Sequence, residues 1–219
     1  MNNRILFSQD DVRVNEICKS DPLMGKLIGY IGDIELNLRR DYFKALTKSI
    51  IGQQLSSKAA STIYSRFEQL LQKNITPSSV KKISIEELRY VGVSKQKISY
   101  LIDLSNHILT GELNLDEISQ MGNEQIVKSL TNVKGIGKWT AEMFLIFSLG
   151  KMDILPQDDV GLQRAAKWLY SLDKETDIKS YLLQQSKFWE QNPAIACLYL
   201  WEAVNKDLIK EENIEVLIK

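Results

Sequence analysis

The 219-residue chain is poor in several residue types, and each scarcity excludes something. It has two cysteines, Cys18 and Cys197, far apart in sequence. That is too few for a metal or cluster framework and reads as free thiols in a reducing compartment. It has one histidine, His107, which rules out a histidine-rich metal site and leaves none to spare for a Ser-His-Asp triad. The setting of His107, LIDLSNHILTGEL, is the polar end of a helix, and no role is assigned to it. No apolar run approaches the roughly 20 residues that cross a bilayer. The opening stretch MNNRILFSQDDVRVN carries early acids and no long apolar segment, so it does not read as a secretory signal. The expected location is the cytoplasm, or the nucleus in a eukaryote.

Charge of either sign is not in excess. Lysine plus arginine and aspartate plus glutamate are 28 each, giving a formal net charge of zero. This weighs against a general nucleic-acid field but leaves room for a local basic face. Prolines number 4 and glycines 11, and strand signals are scarce. Apolar residues recur instead at helical spacing: Phe43, Leu46, Ile50; Ala60, Ile63, Phe67, Leu71; Leu101, Leu104, Ile108; Ile195, Leu198, Tyr199. The pattern predicts an all-α protein of some ten short helices, with a weakly signalled strand pair within residues 1–10. Breakers place the joints at Asp21-Pro22, Gly29–Asp33, Asn74–Ser79, Gly92–Ser94, Gly111 and Gly150–Pro156. There are no repeats or Gly/Ser-rich linkers, which favours a packed body.

What is present is concentrated between Leu130 and Leu169, LTNVKGIGKWTAEMFLIFSLGKMDILPQDDVGLQRAAKWL. Residues 123–133 and 139–149 fit two helices joined by Lys134-Gly135-Ile136-Gly137-Lys138. Glycines admit positive φ and let backbone approach a ligand. The turn leads into a helix N-terminus, whose N–H groups and dipole attract an anion, and two lysines flank it. A plain tight turn between antiparallel helices is the bland alternative. The whole string LTNVKGIGKWTA matches the helix-hairpin-helix pattern, which makes a DNA phosphate the better partner; such contacts fix register without reading sequence.

Beyond it, Pro156-Gln157-Asp158-Asp159 precedes a helical stripe of Leu162, Ala165, Ala166 and Leu169. Asp158 or Asp159 is expected to cap that helix, leaving the other for a second task. A carboxylate in a first helical turn is held ionised on a rigid element. It suits stabilising a developing positive charge or orienting a water.

Read together, the hairpin, helix, short loop, proline and aspartate resemble the helix-hairpin-helix Gly/Pro-Asp (HhH-GPD) superfamily of DNA glycosylases, and within it the 3-methyladenine DNA glycosylase II (AlkA-like) branch. LTKSIIGQQLSSKAA (46–60) is similar to that branch's GQQ-type motif, and GVSKQK (92–97) to its glycine-serine-lysine loop. The resemblance covers roughly residues 20–205. It implies a two-lobed helical fold with the active-site cleft between lobes, residues 1–42 plus 155–219 forming one lobe and 43–154 the other, with the hairpin at 123–150. It implies excision of alkylated purines from double-stranded DNA, by a monomer that does not engage a membrane. In a bacterium or archaeon the location would be nucleoid-associated.

By position, Asp159 is the implied catalytic aspartate. Trp139, Met143 and Trp201 are the implied base pocket. Gly135, Gly137, Lys134, Lys138, Thr140, Ser94 and Lys97 are the implied DNA contacts. Gln53, Gln54 and Leu55 are the implied loop that fills the gap left by an extruded nucleotide. The backbone of Val133 and Ile136 is the implied site of a Na+ or K+ ion, with no other cofactor.

Departures from the family pattern shape the expectation. Trp139 stands where bifunctional members carry a nucleophilic lysine, with Lys138 one position early, which argues for a monofunctional enzyme. Nothing near the C-terminus supplies the four thiols of an iron–sulfur cluster. Met143 replaces a frequent tyrosine, and Ala194 follows Pro193 where a tryptophan is frequent, with Trp189 or Trp201 as substitutes. The N-terminal region is expected to be too short for the β-rich domain that some relatives add. The rivals are a bifunctional glycosylase/lyase for oxidised purines and a helix-hairpin-helix module that binds DNA without chemistry.

Overall fold

A computed structural model describes residues 3–218. The chain divides into two units, Met1–Leu38 with Gly150–Lys219, and Arg39–Leu149.

The first unit opens with β1 (Arg4–Phe7), α1 (Val12–Ser20), α2 (Pro22–Ile31) and β2 (Ile34–Asn37). The strand pair expected within residues 1–10 is corrected here: β1 pairs antiparallel with β2, with Arg4 opposite Asn37 and Phe7 opposite Ile34. The two strands flank a pair of helices, so no local turn signal marks the partnership. Asp11 and Asp21 cap α1 and α2, and Gly32 at φ 78° ends α2. The unit resumes with α10 (Val160–Leu169), α11 (Ile178–Gln185), α12 (Pro193–Asn205) and α13 (Ile214–Leu217), the helices between them belonging to the second unit. Helix α12 is apolar around almost its whole circumference, with Ala194, Ile195, Ala196, Cys197, Leu200 and Ala203 at 0% exposure. A helix of that kind is a core element, and α2 and α10 pack on it.

A buried carboxylate stiffens this unit. Asp21 is 3% exposed. It accepts from Met24 N–H at 3.0 Å, the Tyr170 hydroxyl at 2.5 Å, Gln185 Nε2 at 2.8 Å and Trp189 Nε1 at 2.9 Å. Donors on all sides are what make a buried carboxylate tolerable.

The second unit comprises α3 (Tyr42–Gly52), α4 (Ser57–Leu70), α5 (Pro77–Lys82), α6 (Ile85–Tyr90), α7 (Lys95–Leu109), α8 (Asn123–Thr131) and α9 (Lys138–Phe144). Ser56, Thr76, Ser84 and Ser94 cap α4 to α7 in turn, the middle two as capping boxes. Leu46, Ile50, Leu101, Leu104, Ile126, Leu130 and Ala141 fill the core. The single helix expected over 139–149 is instead α9 followed by a π-helical segment, Leu145–Leu149. Such widened turns are rare and often sit at functional places.

The units change over at 38/39 and 149/150 rather than at 42/43 and 154/155. Backbone bonds explain the first joint: Leu38 N–H donates to Asn3 C=O at 2.7 Å, whereas Arg39 N–H donates to Phe147 C=O at 2.9 Å. At the second, Gly150 turns at φ 73°, and a Cβ on it would lie 3.3 Å from Ile5 and Leu38. Thirteen α-helices among the described residues exceed the expected ten, because several are single-turn or two-turn pieces. None is long and apolar enough to cross a membrane.

Candidate active site

The glycine turn lies in the second unit. Val133 C=O accepts from Ile136 N–H at 3.1 Å, closing the turn. The two glycines are there for different reasons. Gly135 adopts φ 83°, and a Cβ on it would lie 2.1 Å from Tyr100 Cδ2, inside the ring's contact radius. Gly137 has φ −90°, ordinary extended backbone, and nothing lies within 4 Å of where its Cβ would be. The packing around it demands glycine at 135, whereas nothing in the fold demands it at 137. Gly137 is also the N-cap of α9 and brings no side-chain acceptor to that helix start.

The flanking lysines are each beside an acid. Lys134 donates its N–H to Asp103 Oδ2 at 2.8 Å, with its ammonium 3.6 Å from Asp103 Oδ1. The Lys138 ammonium is 3.6 Å from Glu142 Oε1. Both amines are well exposed, while the carboxylates they face are largely buried. Thr140, expected among the DNA contacts, is only 5% exposed.

A recess of about 690 Å³ adjoins the turn, lined by Gly135, Gly137, Trp139, Thr140 and Met143 with Gln53 and Gln54. Trp139 is 42% exposed. Arg39, Lys48 and Phe147 also line it and are not among the site residues expected from the sequence. The Arg39 guanidinium lies 5.1 Å from the Phe147 ring centroid, and burial lowers its pKa. Phe147 sits in the π-helical segment. The recess is therefore lined by both aromatic and basic side chains.

The α3–α4 connection, residues 53–56, contains the expected loop. Gln53 Nε2 donates to Gly135 C=O at 2.7 Å. Gln54 is left-handed at φ 55°, and Leu55 is 39% exposed. The Lys97 ammonium, expected at a DNA phosphate, donates within the protein to Ile51 C=O at 2.8 Å and Gln53 C=O at 2.7 Å. Desolvation by burial lowers its pKa. The Ser94 hydroxyl is the α7 cap, accepting from Lys97 N–H at 3.4 Å.

The candidate carboxylate lies in the first unit. Asp159 is itself the N-cap of α10, accepting from Leu162 N–H at 2.7 Å through Oδ1. The same oxygen accepts from Trp201 Nε1 at 3.0 Å. The division of labour expected between two aspartates is not the one found: Asp158 is 2.6 Å from Lys179 Nζ, and the capping acid is the one carried over as catalytic. Gly161 leaves room, since a Cβ there would be 3.2 Å from Asp159 Oδ1. Trp201, expected in the base pocket, orients this carboxylate. Trp189 is 1% exposed and bonded to Asp21, which removes it as a pocket substitute.

A family model for the HhH-GPD superfamily of base excision DNA repair proteins matches residues 47–191. The chain belongs to that superfamily. It is 31% identical over 183 residues to DNA-3-methyladenine glycosylase 1 of Schizosaccharomyces pombe, covering 81% of this chain and 80% of that one. Among solved structures it is similar to a DNA-3-methyladenine glycosidase from Bacillus halodurans, at TM-score 0.88 and 40% identity, covering 98% and 99% of the two chains. It is also similar to the Schizosaccharomyces pombe 3-methyladenine DNA glycosylase Mag1 in complex with abasic DNA, at TM-score 0.79 and 28% identity, covering 89% and 97%. The all-α expectation and the superfamily resemblance hold.

Proposed function

We propose that the protein is a monofunctional DNA glycosylase that hydrolyses the N-glycosidic bond of alkylated purines, of the 3-methyladenine type, in double-stranded DNA. Family membership supports the reading. The observation that carries it is the aromatic and basic recess beside a glycine turn that is open at Gly137.

The damaged nucleotide leaves the stack at a cost of a few kcal/mol, less when the base is damaged. Gln53, Gln54 and Leu55 fill the vacancy, and the turn at Gly135–Gly137 holds a phosphate. Arg39 and Lys48 add positive charge suited to the nucleotide's phosphates. An alkylated, cationic base stacks on Trp139, a contact worth roughly 0.5–2 kcal/mol. The C1′–N bond breaks with its electron pair going to the base, which departs neutral and needs no general acid. Asp159 stabilises the oxocarbenium-like sugar and orients a water, whose oxygen bonds C1′ and whose proton passes to the carboxylate. Leu162 N–H and Trp201 Nε1 keep that carboxylate in one rotamer.

The hairpin backbone suits a monovalent ion as well. Val133 C=O keeps one lone pair beyond its bond from Ile136 N–H, so with the Ile136 carbonyl it would hold Na+ or K+ and add positive charge near a phosphate. The chemistry does not pass through that ion. A repair enzyme of this kind works as a monomer where the DNA is, in the cytoplasm of a bacterium or archaeon or in a eukaryotic nucleus.

The test is Asp159→Asn. Asparagine caps a helix as well as aspartate does, so the fold and duplex binding stay. Release of 3-methyladenine from methylated DNA should fall by at least two orders of magnitude. Release at the parent's rate refutes the assignment.

A further inference from the structure

Lys97 sits where its charge does nothing obvious for a nucleic acid. It is half-buried near the start of α7, yet its ammonium reaches across to the end of α3 and donates to two backbone carbonyls, Ile51 and Gln53. The last carbonyls of a helix have no partners within it, and a cation there also opposes the negative end of the dipole. The segment it holds is strained. Gln54 is a non-glycine residue at φ 55°, a conformation that costs about 1–2 kcal/mol and persists only where the surroundings over-determine it. Among the described residues the backbone here is tied by the two bonds from Lys97, the bond from Gln53 Nε2 to Gly135 C=O, Gln53 N–H to Ile50 C=O at 3.3 Å and Leu55 N–H to Gly52 C=O at 3.2 Å. Remove Lys97 and two carbonyls lose a charged donor directly beneath the loop tip.

We propose that Lys97 is a positioning residue that pre-forms the Gln54–Leu55 tip, so that the loop is ordered before it meets DNA and moves as one piece with the glycine turn through Gln53. The role rests on the glycosylase reading for its consequence, but not for its geometry. A pre-formed tip enters the duplex without the ordering entropy of a free loop, roughly 1–2 kcal/mol per residue fixed. The charge of Lys97 is thereby spent on the protein and contributes little to phosphate binding.

The experiment compares the parent with Lys97→Met, which keeps the stem and removes the ammonium, and Lys97→Arg, whose guanidinium again offers donors to both carbonyls. Three readouts are taken: amide hydrogen exchange across residues 51–56, affinity for undamaged duplex as a function of salt, and single-turnover release from methylated duplex. A 2-aminopurine beside an abasic-site analogue reports insertion by fluorescence. For Lys97→Met, the amides of Gln53 and Leu55, which bond Ile50 C=O and Gly52 C=O, should exchange at least tenfold faster. Release and the insertion signal should fall about tenfold, with undamaged-duplex affinity within twofold and its salt slope unchanged. Lys97→Arg should recover most of each loss. Parental exchange and insertion in Lys97→Met overturn the proposal. So does a salt slope reduced by about one phosphate contact with exchange unaltered, which would make Lys97 a DNA contact. If Lys97→Met does not fold, Gln53→Met removes the tie to Gly135 instead and should raise exchange at the same two amides; unchanged exchange there refutes the coupling. Failure of the parent itself to release base refutes the glycosylase reading, while the exchange arm still decides the role of Lys97.

Discussion

Gly137→Asp should make the protein more stable and worse at its task, and the two effects have separable magnitudes. Gly137 caps α9 with no side-chain acceptor, at φ −90° and ψ 174°. That is extended backbone of the kind N-cap aspartates adopt, and a Cβ there meets nothing within 4 Å. Aspartate would accept from a first-turn N–H and favour the helix dipole, stabilising by about 0.5–1 kcal/mol. For a protein of this size that raises the melting temperature by roughly 1–3 °C. The same carboxylate occupies the space assigned to a DNA phosphate. Two unit negative charges about 5 Å apart at an effective dielectric of about 20 repel by roughly 3 kcal/mol. Affinity for any duplex, damaged or not, should drop about a hundredfold at low salt, with the difference shrinking as salt screens it. Fluorescence anisotropy with an undamaged duplex over a salt series, alongside calorimetry, measures both. Parental affinity at low salt refutes the phosphate grip, whatever happens to the melting temperature.

Gly135→Ala should behave in the opposite way: its Cβ would collide with the Tyr100 ring at a positive φ, costing roughly 2–4 kcal/mol in a urea titration. A fully stable Gly135→Ala would show that the two glycines are interchangeable. Trp201→Phe removes a donor from the Asp159 carboxylate; a bond to a charged group is worth about 1.5–3 kcal/mol, so base release should slow by at least tenfold with duplex affinity kept. An unaltered single-turnover rate would deny Trp201 that role. Stability should hold through neutral pH and fall above about pH 10. Burial pushes the Tyr64 and Tyr199 hydroxyls up to about 12, and burial with the Asp21 carboxylate pushes Tyr170 higher still, so the unfolded chain releases these protons first. The stabilisation from these protons is fully present below the ordinary tyrosine value of 10.0 and is lost progressively as pH rises from there through the raised folded values, about 12 for Tyr64 and Tyr199. Denaturant midpoints at pH 8 to 11.5 should show the decline, and Tyr170→Phe should make it shallower; a midpoint independent of pH in that range contradicts the burial of these hydroxyls.

By itself the sequence determined what local chemistry can encode. Caps and breakers placed the starts of α2, α4 and α7, because a capping side chain bonds a backbone N–H two or three residues away. The Gly135-Ile136-Gly137 spacing between apolar stripes marked the hairpin, since positive φ and close approach are properties of a few consecutive residues. The order of motifs marked the superfamily. What tertiary structure alone decided depends on partners far along the chain. Neither aspartate of the 158–159 pair declares which one Trp201 will hold, because that donor lies more than forty positions later. Lys97 reads as a basic residue in a polar loop until the end of α3 is folded against it. The two glycines look alike in the chain and differ only because Tyr100 stands over one of them while the space before the other stays clear.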